Sequence, residues 1–262
     1  MAYSPDPHGY PQTSHVGSQR SAMYRAPSRA RTRAATRPFN ISWLCGNDDV
    51  HYDTVTAPSL PVIDAACGNI ARGSLISTLN GPVAVEDLTP GMMVMTSEYG
   101  PVKLLWMGSY EMSLRDAQTT NRGSLYRVTT DAFGLTTPMQ DTLLAPRSHI
   151  LFEHPKCQDL LGVDKAFAPI RAFEDGDRVF PVQPVAPVEV FNLSFERQAS
   201  VLVNGLEIEC FHPGPYAETL IDRDTLSALM TLFPQAGGPE FFGTQLIKRL
   251  TAFEVGSLRK GA

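Results

Sequence analysis

From Ser74 onward the chain alternates short apolar runs with turn dipeptides. "SLIST", "GPVAVEDL", "MMVMTSEYG" and "PVKLLWMGSYEM" read as β-strands, separated by Asn80-Gly81, Pro90-Gly91 and Gly100-Pro101. "LYRVTT", "QDTLLA", "HILFEH", "AFAPIRAF", "DRVFPVQ" and "VEVFNLSF" continue the series. In "ASVLVNGLEIECF" the Asn204-Gly205 step between two apolar runs predicts a tight hairpin, because both turn positions tolerate positive φ. This many short strands at such spacing predict an all-β domain, closed or folded on itself, over residues 67–213.

Beyond Pro213-Gly214 the period changes. Leu220, Ile221, Leu226, Leu229, Met230 and Phe233 fall at helical spacing and Pro234 ends the run. A weaker stripe of Phe242, Leu246, Ile247, Leu250 and Phe253 predicts a second helix, so residues 214–262 read as a helical appendage docked on the β domain. Residues 38–66 carry Phe39, Trp43 and Tyr52 with little periodicity and read as a lead-in segment. Residues 1–37 are rich in Pro, Ser, Arg and Ala and poor in aliphatic side chains. Such a segment buries too little surface to offset its ordering entropy, and a disordered arm is expected there.

Charge sharpens that division. The arm sets Arg20, Arg25, Arg29, Arg31, Arg33 and Arg37 against Asp6 alone, whereas the whole chain carries a formal net charge of −5. A basic arm on an acidic body could touch an anionic surface, but without a fold or interleaved aromatics nucleic acid is not the expected partner. No apolar run approaches the ~18–20 residues that span a bilayer, so no membrane span is expected. The polar N-terminus shows no apolar signal core, which leaves a cytoplasmic location or export without a standard signal. Four scattered cysteines (Cys45, Cys67, Cys157, Cys210) do not make a disulfide framework. His149, His154, Cys157, Cys210 and His212 lack a standard zinc spacing, and no phosphate-binding glycine loop or nucleophile elbow occurs, so neither metal nor cofactor is expected.

Three blocks in order carry a family likeness: "GSLISTLNGPVAVEDLTPGMMVMTSEYGPVKLLWMGSY", "DTLLAPRSHILFE" and "VEVFNLSFERQASVLVNGLEIECFHPG". Together with "LFP" and "LTAFE" further on, across about residues 67–255, they resemble the bacterial Hedgehog/intein (Hint) domain family. The resemblance implies a twisted β fold with pseudo-twofold halves and chain ends that meet near a site. It also implies autoprocessing, in which a leading Cys or Ser attacks the preceding carbonyl and a Thr-x-x-His element polarises the scissile amide. An amide is a poor electrophile, so such chemistry needs an activated nucleophile and a placed acid.

Laid on that template, the family's first residue falls on Asn69, whose amide cannot perform an acyl shift; Cys67 stands two residues upstream. The template histidine falls on Ser148, with His149 one residue late, and a one-residue slip in a strand reverses the face. Pro146 stands where the threonine would be, and Met92 follows Pro90-Gly91 where the family has Asp. None of the seven asparagines precedes a Cys, Ser or Thr, which rules out full intein splicing. The expected function is thus a Hint domain with a degenerate site, serving as a structural or interaction module with a protein partner. The alternative is cleavage at Ala66-Cys67 by N-to-S acyl shift, with His149 as the acid.

Overall fold

The structure is a computed structural model that describes residues 35–113, 124–214 and 222–260. Residues 1–34, most of the expected basic arm, lie outside the described residues, as do 215–221 at the start of the first helical stripe. Among the described residues sixteen strands, all paired antiparallel, form two sheets.

The first sheet contains β1 (Thr36–Leu44), β2 (Val50–Pro58), β3 (Ile70–Ala71), β8 (Trp106–Met112), β9 (Leu125–Val128), β10 (Thr142–Leu144), β13 (Val179–Val182) and β14 (Val188–Ser194). Its order is β13-β9-β10-β3-β14-β8-β1-β2. The second contains β4 (Leu75–Thr78), β5 (Gly81–Ala84), β6 (Met93–Thr96), β7 (Gly100–Lys103), β11 (His149–Glu153), β12 (Lys165–Pro169), β15 (Ser200–Val203) and β16 (Leu206–Glu209). Its order is β12-β11-β16-β15-β4-β6-β7, with β5 paired to β4. The Asn204-Gly205 step joins β15 to β16 with φ of +49° and +89°, the double positive φ that matches the twist of a two-residue hairpin.

The lead-in segment is built into the sheet. β1 pairs with β8 on one side and along its whole length with β2 on the other, and α1 (Pro61–Cys67) follows. Proline at the first turn suits α1, since no intrahelical partner exists for that N–H. Its exit is sterically specified at Gly68, where a Cβ would stand 2.6 Å from Tyr110 Cε1.

Further helices are α2 (Pro155–Leu161), α3 (Arg223–Met230) and α4 (Ala252–Lys260). Asp222 caps α3 by accepting from the Thr225 N–H, and Thr251 with Glu254 forms a reciprocal capping box on α4. The second expected helix does not run from Phe242 through Phe253. Residues 246–250 are instead an extended strap along β12: the Phe167 N–H donates to Lys248 O and the Leu250 N–H to Phe167 O. Leu250 is buried while Leu246 and Phe253 stay exposed, so the apolar spacing does not mark one helical face.

Two buried clusters fill the body. One, between the sheets, includes Ile70, Ile76, Leu144, Val201 and Ile208. The other collects Phe39, Ile63, Cys67, Trp106, Phe211, Phe233 and Phe242 beneath α1 and α3. Trp106 anchors the latter, its ring 4.3 Å from Phe233 and its indole N–H donating to Leu232 O at 2.6 Å.

Candidate functional site

Where the chain leaves α1 it turns into β3 through Gly68 and Asn69, at a cleft of about 300 Å³. Asn69, Asn192, Arg147, His149, Glu209, His212 and Arg249 line it, drawn from the turn before β3, from β14, from β11 and the turn before it, from β16 and the stretch after it, and from the strap. Asn69 is held through its backbone and its side-chain nitrogen, while its Oδ1 is buried without a hydrogen-bond partner among the described residues. Its N–H donates to Phe191 O, and its own carbonyl accepts the Ala145 N–H and the Ser148 hydroxyl, each at 2.8 Å. Its side-chain amide donates to Glu209 O at 2.7 Å and Asn192 Oδ1 at 3.2 Å. Asn192 in turn donates to Ala65 O, tying the last turn of α1 to β14.

Ser148 and His149 serve different neighbours. Ser148 is buried against the Asn69 carbonyl, whereas the His149 ring lies in the cleft with Nδ1 3.9 Å from Glu209 Oε2. Burial, reinforced by the nearby Arg249 guanidinium, pushes the His149 pKa down to about 3, so the ring is neutral at physiological pH. Its approach to Glu209 is therefore dipolar. The true ion pair belongs to Arg249, whose Nε donates to both Glu209 carboxylate oxygens at 3.0 and 2.8 Å. Gln198 adds a 2.6 Å bond to the same carboxylate and accepts the Leu246 and Ile247 N–H groups with its other end. Burial still holds the Glu209 carboxyl above its ordinary range despite the pull of Arg249.

Cys67 takes no part in the lining. Its Sγ points into the apolar cluster, 2.8 Å from where a Cβ on Gly108 would stand. Burial pushes its thiol well above the ordinary cysteine range, and Asp64 adds to the rise.

A family model described as Hint domain matches residues 69–215. This chain belongs to the Hint domain family. The solution structure of a bacterial intein-like domain from Clostridium thermocellum is similar to it at 13% identity and a TM-score of 0.38, covering 55% of this chain and 99% of that one. No curated protein matches.

Within the Hint domain, the template positions Asn69 and Ser148 come together through one hydrogen bond, and His149 shares their cleft. Cys67 and His149 do not share it. Among the described residues no group of three or more His, Cys, Asp or Glu side chains could hold a metal ion, and no helix is long and apolar enough to cross a membrane. Glu209, Asn192 and Arg249 were not legible as site residues. Glu209 alternates with Ile208 and reads as the solvent side of a strand, and Arg249 sits inside the stripe that mimics a helix.

Proposed function

We propose that this Hint domain has lost self-cleavage and serves as a structural or interaction module. The observation that carries the reading is the enclosure of Cys67. A thiol packed against Trp106 and Gly108, with its ionisation suppressed by burial, is neither nucleophilic nor aligned with the histidine of the cleft. Asn69, at the family's first position, has its amide nitrogen engaged by two acceptors. The pair of donors from Ala145 and Ser148 sits on the Asn69 carbonyl, one peptide beyond the bond that an acyl shift at Asn69 would break. His149, neutral and beside a carboxylate already paired with Arg249, is not an imidazolium near neutral pH and so offers no acidic proton to an amide nitrogen.

The test is the intact mass of the full chain after expression and after incubation with hydroxylamine, which captures thioesters. A single full-length mass is expected. A fragment beginning at Cys67 that disappears in Cys67→Ala would establish the alternative, cleavage at Ala66-Cys67 by N-to-S acyl shift.

A further inference from the structure

Away from the cleft, a second groove of about 460 Å³ opens where β11 and β16 meet the turn around residues 131–139. Phe133, Phe152, Phe173 and Leu206 line it together with two carboxylates, Glu153 and Glu207. Its chemistry is one-sided. Phe133–Phe173 at 5.1 Å and Phe152–Phe173 at 5.6 Å meet edge to face, the His154 ring stacks on Phe152 at 5.8 Å and so leaves one face of Phe152 for a ligand, and no Lys or Arg is among the lining residues. Glu207 Oε2 is buried with no hydrogen-bond partner among the described residues. The Glu207 side chain as a whole is half-buried and lines the groove, so its carboxylate can be reached from there while Oε2 still lacks a donor. The ring cluster already accepts a guanidinium elsewhere: Arg259 lies over Phe173, 5.4 Å from its centroid, with Nη1 donating to Ala172 O. In the turn that supplies Phe133 and Thr137, Leu135 and Met139 are exposed, Met139 lying against Gly205 of the groove, and offer apolar contact to a bound chain.

We propose that this groove binds an arginine side chain of a basic peptide segment in a partner protein, the guanidinium against the Phe152 ring and forked onto Glu207. Charge complementarity selects a cation. The planar fork that both stacks on an aromatic face and pairs with a carboxylate selects arginine over lysine. The exposed Leu135 and Met139 accommodate the neighbouring residues of a peptide. This extends the interaction-module reading, and the two fail separately: cleavage at Ala66-Cys67 would leave the groove untouched.

The test is fluorescence anisotropy of a labelled peptide, Ala-Leu-Arg-Leu-Ala, titrated with the full chain, beside the same peptide carrying citrulline. The arginine peptide is expected to bind at least ~10-fold more tightly than the citrulline peptide, which keeps the shape and loses the charge. Glu207→Gln should weaken arginine binding by about 10-fold. Phe152→Leu keeps an apolar side chain and should weaken binding about 3-fold. Equal binding of the two peptides, an unchanged affinity in Glu207→Gln, or no binding at ~1 mM overturns the proposal. A Glu207→Gln variant that melts lower and binds as before assigns Glu207 a purely structural role and overturns it too.

Discussion

Cys67 Sγ and Gly108 Cα meet face to face: the sulfur fills the space where any larger residue at 108 would place its Cβ. The same absent Cβ would stand 2.3 Å from Trp106 Cη2, and Trp106 is held by its bond to Leu232 O. Gly108→Ala must therefore displace either the thiol or the indole. Overpacking of this kind costs roughly 1–3 kcal/mol, and a domain of this size loses about 2–4 °C per kcal/mol. A lowered midpoint by differential scanning calorimetry is expected; an unchanged one would mean that the Trp106 cluster yields freely.

The four thiols should separate by reactivity. Cys67 and Cys210 are buried with pKa values pushed well above the ordinary range, and burial raises that of Cys157 as well. Cys45 is partly exposed. Iodoacetamide at neutral pH should label Cys45 alone in the native protein and all four after denaturation, read by peptide mass. Rapid native labelling of Cys67 would contradict its enclosure.

Arg249 supplies the charge that a 3% exposed Glu209 side chain requires. Arg249→Met leaves that carboxylate without its cation, and breaking a buried pair in this way typically costs ~3–5 kcal/mol. Urea unfolding should show the loss. Adding Glu209→Gln should restore much of it, because the buried charge goes as well; a double variant no more stable than the single would sink the account.

Acid should weaken the fold through His149. Its folded pKa of about 3 lies below the ordinary 6.5, so between those values the unfolded chain binds a proton that the folded chain refuses. Stability then falls as pH drops from about 6.5 towards 3, by at most ~1.4 kcal/mol per pH unit for one group. His212, lowered by burial, acts in the same direction. Glu209, raised above 4.5, acts in the opposite one, losing stability as pH rises through its window. His149→Gln should flatten the decline between pH ~6 and ~4 in chemical denaturation series.

Much of the alternation of strands and turns was legible because turn chemistry is local. Asn204-Gly205 and Asn80-Gly81 each place a residue that accepts positive φ between apolar runs, and both became hairpins. β2 was not legible. As an edge strand, exposed along most of its length, it has no buried face to impose alternation. The strap misled for the opposite reason: Leu250 and its neighbours are spaced like a helix, but tertiary pairing with Phe167 decides their conformation. At the site, Asn69, Ser148 and His149 were visible through family blocks. The fate of Cys67 was not, because it depends on Gly108 and Trp106, forty residues away in the chain.

The strap has an implication for anyone who would pare this protein down. The stretch matched by the family model stops at residue 215, yet the guanidinium that neutralises Glu209 arrives from 249, and β1, which flanks β8, begins at 36. Excising 69–215 would strand an anion in the interior and bare a hydrophobic seam. In this chain the smallest self-sufficient body is larger than the motif by which its kinship is known.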